Sequence, residues 1–299
     1  MKQRPFKKKL AIGMGLIELL AAVAMAGLLL AAATQWLHVS SRATRELQAV
    51  LELQEQTRAA LDLLENEVRQ SGAYGLLSSR TTLEGSSLLG TTETSSLTVG
   101  GRCIASLAHD LGHPVQWKTW AAGTWPLLCA AGPDGRAMAG SDLLLTRRAT
   151  VALTADDAGA LWVESTPLAG RLRNGLVGVV LQPSTTAGSI PSALTPPTPM
   201  QTLLVVNAFY ISRDSTGVRN QPSLRRKQLI GGTSGPRFED EELVPGIERL
   251  AVSLVPSPSG SSGRLLLLSV TSRSLRLPAL KRTAQRMVLL RNGTASPWK

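Results

Sequence analysis

Cysteine, histidine and aromatic residues are scarce in this chain: two Cys, three His and 4% aromatics in 299 residues. Two cysteines exclude a four-cysteine zinc module and any multi-bridge disulfide framework. Of the histidines, His38, His109 and His113, only the pair in HDLGH has an i, i+4 spacing that could hold a metal if helical. Gly112 and Pro114 argue against a helix there, and Asp110 is the one nearby carboxylate, so the segment reads as a solvated loop. A Walker A loop is missing, and GGTSG (Gly231–Gly235) misplaces the serine of a nucleophile elbow. Basic residues nowhere interleave with aromatics as on a strand-binding surface, which argues against nucleic acid. No enzyme site assembles, and no cofactor is expected. Asp156-Asp157 and the run Glu239–Glu242 read as solvated charge runs, the second also rich enough in oxygens to take calcium.

Helix breakers and charge are absent from one long stretch. Leu28 to Ser71 contains neither Gly nor Pro, and Met14 to Ala33 carries a single charge, Glu18. Five basic residues (Lys2, Arg4, Lys7, Lys8, Lys9) and Gly13 precede that apolar run. Removing those five from the net charge of +11 leaves +6 for the rest. Twenty apolar residues reach about 30 Å as a helix, the thickness of a bilayer's hydrocarbon. The basic residues hold their end in the cytoplasm, which places the chain beyond Leu37 on the outer side. Trp36 and His38 fall at the expected membrane–water boundary. A lone carboxylate inside such a run costs about 2.5–3.5 kcal/mol and therefore marks a function.

Three readings of this stretch compete. A cleaved secretory signal needs a short apolar core followed by small residues; here the core is long and the small residue precedes it. A plain signal anchor explains everything except Glu18 and the Gly13-Met14 step. The third reading accounts for those as well. Basic leader, Gly13 and MGLIELL resemble the class III signal of type IV pilins and pseudopilins. That resemblance implies cleavage after Gly13, N-methylation of Met14, and a carboxylate, Glu18, at the fifth mature position. It also implies that Glu18 answers the freed amine of a neighbouring subunit and sets filament register. Met14 replaces the family's usual phenylalanine, and Gly15 its usual threonine or serine.

Beyond the apolar run, Leu47, Val50, Leu61, Leu64 and Val68 recur at helical steps, predicting one helix from Met14 to near Gln70, stopped by Gly72 and Gly75. Lacking proline, it should have no proline kink. RAALDLLENEVRQSGAYG (Arg58–Gly75) resembles the helix end of the PilW family of minor pilins. NAFYISRDSTGVRNQPSLRRKQLIGG, ELVPGIERLAVSLV and RMVLLRN resemble that family's later segments, whereas Ser78–Thr202 resembles none.

The expected fold is α+β and type IV pilin-like, a long N-terminal helix packed on one antiparallel β-sheet. Its parts would be a leader (1–13), a transmembrane or filament-core helix (14–37), an amphipathic half (38–72) and a β-rich periplasmic head (73–299) with a loop at 183–201. Expected strands are Ser96–Val99, Asp142–Leu153, Ala160–Glu164, Leu176–Gln182, Leu203–Ser212, Ser223–Ile230, Ile247–Val255, Arg264–Ser272 and Arg286–Arg291. PSPSGSSG (Pro256–Gly263) reads as a turn. In an oxidising compartment Cys103 and Cys129 are expected to form a disulfide, with two buried free thiols as the other possibility.

The resemblance implies a minor pilin that primes pilus assembly and sits at or near the tip. Implied partners are other minor pilins, the major pilin, the prepilin peptidase, the inner-membrane assembly platform and a tip adhesin. The chain would sit in the inner membrane with a periplasmic head and then in the pilus at the cell surface. Two alternatives stay open: a J-type minor pseudopilin of a type II secretion system, and a membrane-anchored periplasmic binding or enzymatic domain.

Overall fold

The structure, a computed structural model, describes residues 15–77, 83–84, 108, 110–120, 137–151, 159–167, 170–174, 200–232, 235–255, 265–292 and 295–297. Gly13, Met14, Cys103, Cys129, His109, Asp156, Asp157, the expected strands Ser96–Val99 and Leu176–Gln182, the turn at Pro256–Gly263 and most of the 183–201 loop lie outside these residues.

One long helix, α1, runs from Leu16 to Gln70, 55 residues, or about 80 Å at 1.5 Å per residue. Leu, Ala, Glu, Gln and Arg dominate it, and its one internal glycine is Gly27. It stops at the glycines expected to stop it. Gly72 and Gly75 have φ of +80° and +69°, the left-handed backbone that ends a helix at little cost for glycine. At both positions a side chain would also collide: a Cβ on Gly72 would lie 2.5 Å from the Asn292 carbonyl oxygen.

The chain divides into two compact units, residues 1–50 and 51–299. In the first, the helix carries its large apolar side chains uncovered. The second holds the remaining helical turns and all the described strands: β1 (Leu83–Glu84), β2 (Val115–Thr119), β3 (Asp142–Thr150), β4 (Leu161–Ser165), β5 (Gly170–Asn174), β6 (Met200–Ser212), β7 (Ser223–Ile230), β8 (Arg237–Pro245), β9 (Ile247–Leu254), β10 (Leu265–Arg273), β11 (Lys281–Leu289) and β12 (Ala295–Pro297).

These strands build two sheets, not the single sheet expected. Nine strands form one, in the order β1-β5-β4-β6-β3-β2-β12, with β7 added to β6 and β8 to β7; the other is β11-β10-β9. Pairing is antiparallel except at two short margins, β1 on β5 and β12 on β2. At 13 residues β6 outruns its neighbours, so β4 and β7 share one of its edges, at Met200–Leu203 and Asn207–Ser212.

The central sheet is buried on both faces. One face joins helix residues Ala60, Leu61, Leu64 and Val68 with Leu144, Phe209, Ile211 and Leu224, and with Leu250, Leu266, Leu268 and Val270 of the smaller sheet. The opposite face has its own cluster, including Tyr74, Leu111, Leu143, Leu145, Val206 and Tyr210. Alternation along each strand sends neighbouring residues to opposite cores.

The acidic run is a further correction. Glu239–Glu242 lies inside β8 and is not a loop. Its alternating side chains meet the arginines of β7 across the ladder: Arg225 contacts Asp240 (2.5 Å) and Glu242 (3.3 Å), and Arg226 contacts Glu241 (2.6 Å). Opposite charges paired across strands stabilise a sheet that propensity alone disfavours at Glu and Asp. The pleat divides the four carboxylates between two faces, so they do not converge as a calcium cage must. Other boundaries shift modestly: β3 ends at Thr150, short of Leu153, and β11 begins at Lys281, five residues before Arg286. Met200 and Gln201, assigned to a loop, open β6.

Candidate functional site in the first helical turn and the uncovered apolar helix

Gly15 precedes the helix, and its carbonyl accepts backbone bonds from Glu18 (2.9 Å) and Leu19 (3.3 Å). Glu18 sits in the first turn. Its Oε2 accepts a bond from the Gly15 N–H at 3.3 Å, the return half of a capping box. A carboxylate there also faces the positive end of the helix dipole. The local fold thus gives Glu18 one partner and leaves it exposed.

Along the turns after Glu18 the apolar surface is bare: Leu28, Leu29, Leu30 and Trp36, like Leu16 and Ile17 just before it, are each at least 68% exposed. The helix is long and apolar enough to cross a membrane. Three of its hydroxyls are returned to its own backbone: Thr34 Oγ1 donates to the Ala31 carbonyl (2.8 Å), Ser41 Oγ to His38 (3.0 Å) and Thr44 Oγ1 to Ser40 (2.9 Å). A hydroxyl bonded to its own helix, as Thr34 is within the apolar run, meets what an apolar surrounding requires. Chemically, this segment offers an apolar cylinder with one carboxylate near its start.

In the head, ionic contacts bind residues 52–67 of the helix to the sheets and to the turn between β10 and β11. Glu52 meets Arg276 (2.8 Å), Asp62 and Glu65 both meet Arg286 (2.5 Å to Glu65), and Glu67 accepts from Arg148 (3.2 and 3.3 Å) and Asn207 Nδ2 (2.9 Å). The hydrogen bond from Arg286, with its charge, holds the Asp62 carboxyl below the usual carboxylate range, against some desolvation. Reciprocally, hydrogen bonds to Asp62 and Glu65 raise the Arg286 guanidinium.

HDLGH is a turn and not a helix at Asp110–His113. Asp110 binds His113 Nδ1 (2.9 Å) and Gln116 Nε2 (3.2 Å). Gln116 Oε1 and the His113 carbonyl take bonds from Arg147 Nη1 at 2.9 and 2.5 Å. Burial pushes the fully enclosed Arg147 down to about 10, opposed by Asp110 and Tyr74, so it stays charged at neutral pH. Among the described residues no group of three or more His, Cys, Asp or Glu could hold a metal. Sequence reading missed this buried arginine network, because nothing in RRAT distinguishes Arg147 from the less buried Arg148 except its parity on β3.

No family model, curated protein or solved structure matches this chain.

Proposed function

We propose that this protein is a minor type IV pilin of the PilW type, a membrane-anchored prepilin that joins other minor pilins to prime the filament at its tip. The observation carrying the reading is Glu18 in the first turn of an unbroken 55-residue helix whose apolar side chains stand uncovered. A monomer has no use for that surface in water; a bilayer and then a bundle of neighbouring helices would cover it. Cleavage after Gly13 would leave a cationic amine on Met14, one residue from the N–H that Glu18 already holds. In the filament the amine of an adjacent subunit would take the remaining capacity of Glu18. Removing one member of such a buried pair costs about 3–5 kcal/mol. The head, with a polar helix flank and two sheets, would face neighbouring subunits or a tip adhesin.

Mass spectrometry of the protein from piliated cells tests the reading. The expected product begins at N-methylated Met14. Glu18→Ala should still be trimmed but should be missing from sheared filaments. A product retaining Met1, or normal incorporation of the Glu18→Ala chain, would overturn it.

A further inference from the structure

An open strand edge exposes a row of unpaired N–H and C=O groups, and proteins usually shorten or cover such edges. Most edges here are managed in that way. β1 and β12 have only two and three residues. Beside β9, the Ser141 hydroxyl accepts from Leu250 N–H (3.0 Å) and Asp142 accepts from Val252 N–H (2.6 Å), standing in for a neighbouring strand. Two long edges remain. β8 and β11, nine residues each, pair on one side only among the described residues.

Their charges are opposite. β8 presents Glu239, Asp240, Glu241 and Glu242, with Arg225 and Arg226 one strand, about 4.8 Å, further in. After the exposed Arg237 that opens the strand, its outermost line of charge from Glu239 to Glu242 is therefore negative. β11 begins with exposed Arg282 and with Lys281, whose Nζ also meets Glu248 of β9 at 2.8 Å, and continues to Met287 and Leu289, which are 64% and 54% exposed. Those two share the outer face of the small sheet with Leu265 and Leu267, their cross-strand partners. Like meeting like is disfavoured at both edges. Two β8 strands would oppose four carboxylates to four, and two antiparallel β11 strands would set Lys281 against Leu289.

We infer that β8 of one copy of this chain pairs with β11 of a second copy, extending the sheet from head to head. The main chain supplies the hydrogen bonds and the charges select the partner edge. Because the two edges differ, the contact is heterologous and leaves one of each free at the ends of a pair, so it can repeat. This contact stands on the two edges alone and does not require the pilus reading.

Charge exchange tests it on the full chain in detergent, by sedimentation. Wild type should associate, more weakly as salt rises. Glu239→Lys with Glu241→Lys, and separately Lys281→Glu with Arg282→Glu, should each weaken association by roughly tenfold or more. Mixing the two variants should restore it, since each then offers the edge the other needs; a misfolded variant could not be rescued this way. The milder Glu239→Gln and Lys281→Gln should weaken it in the same direction. A monomeric wild type, variants that associate as wild type does through the helix alone, or a mixture that stays apart would each overturn the inference.

Discussion

At the scale of single residues, the head is governed by a few positions with one permitted side chain. Gly246 joins β8 to β9 with φ of +80°. A Cβ there would lie 2.9 Å from Gln56 Oε1 and 3.1 Å from the Arg273 carbonyl oxygen. Gly246→Ala should cost about 1–2 kcal/mol from the left-handed backbone alone, read as a lower urea midpoint. Arg147 is the buried counterpart. Arg147→Met keeps much of the volume but strands Asp110 and Gln116 without their cation, and should destabilise by about 3 kcal/mol. A smaller loss would mean that His113 alone suffices for Asp110. Neither position announces its burial in the sequence. Gly246 sits in a VPGI step that invites a turn, whereas Arg147 is one of two adjacent arginines with opposite fates.

At the scale of elements, the amphipathic turns of α1 were legible because apolar residues at i, i+3 and i+4 need a surface to cover them. Of the five residues named from spacing, Leu61, Leu64 and Val68 are buried, whereas Leu47 and Val50 are 64% and 40% exposed, because the strands begin to cover the helix only further along. Leu64→Ala should cost about 2–5 kcal/mol, measured by chemical denaturation. The acidic flank of the same turns was not legible as a clamp, because its partners Arg148, Arg276 and Arg286 lie scores of residues away. Asp62 has its carboxyl lowered by Arg286. Its contribution to stability is then complete above the unfolded pKa, about 3.9, and lost as pH falls through the lower folded value. The urea midpoint should decline on acidification below about pH 4, and less steeply in Asp62→Asn. An unchanged pH profile in that variant would remove Asp62 from the clamp.

At the scale of the whole molecule, two units with different surfaces share one helix. Residues 51–299 contain both hydrophobic cores, and the large apolar side chains of 16–39 are exposed. A chain beginning at Leu51 should therefore be soluble without detergent and melt in one cooperative step, followed by circular dichroism. Aggregation of that fragment would show that the first unit is needed to complete the head. Full-length protein should instead partition into detergent, driven by apolar area at about 25 cal/mol per Å².

Local pattern was enough to determine the long helix, its stop at Gly72 and Gly75, the singular Glu18 and most strands of the last hundred residues, because each depends on spacing, breakers or hydropathy within a short window. Tertiary structure alone decided that there are two sheets, that the central one is buried on both faces, and that an acidic run becomes an edge strand. Those outcomes depend on which distant segment lies alongside. Glu239–Glu242 is tolerated as strand because Arg225 and Arg226 stand opposite, and no periodicity in either segment reveals that they meet.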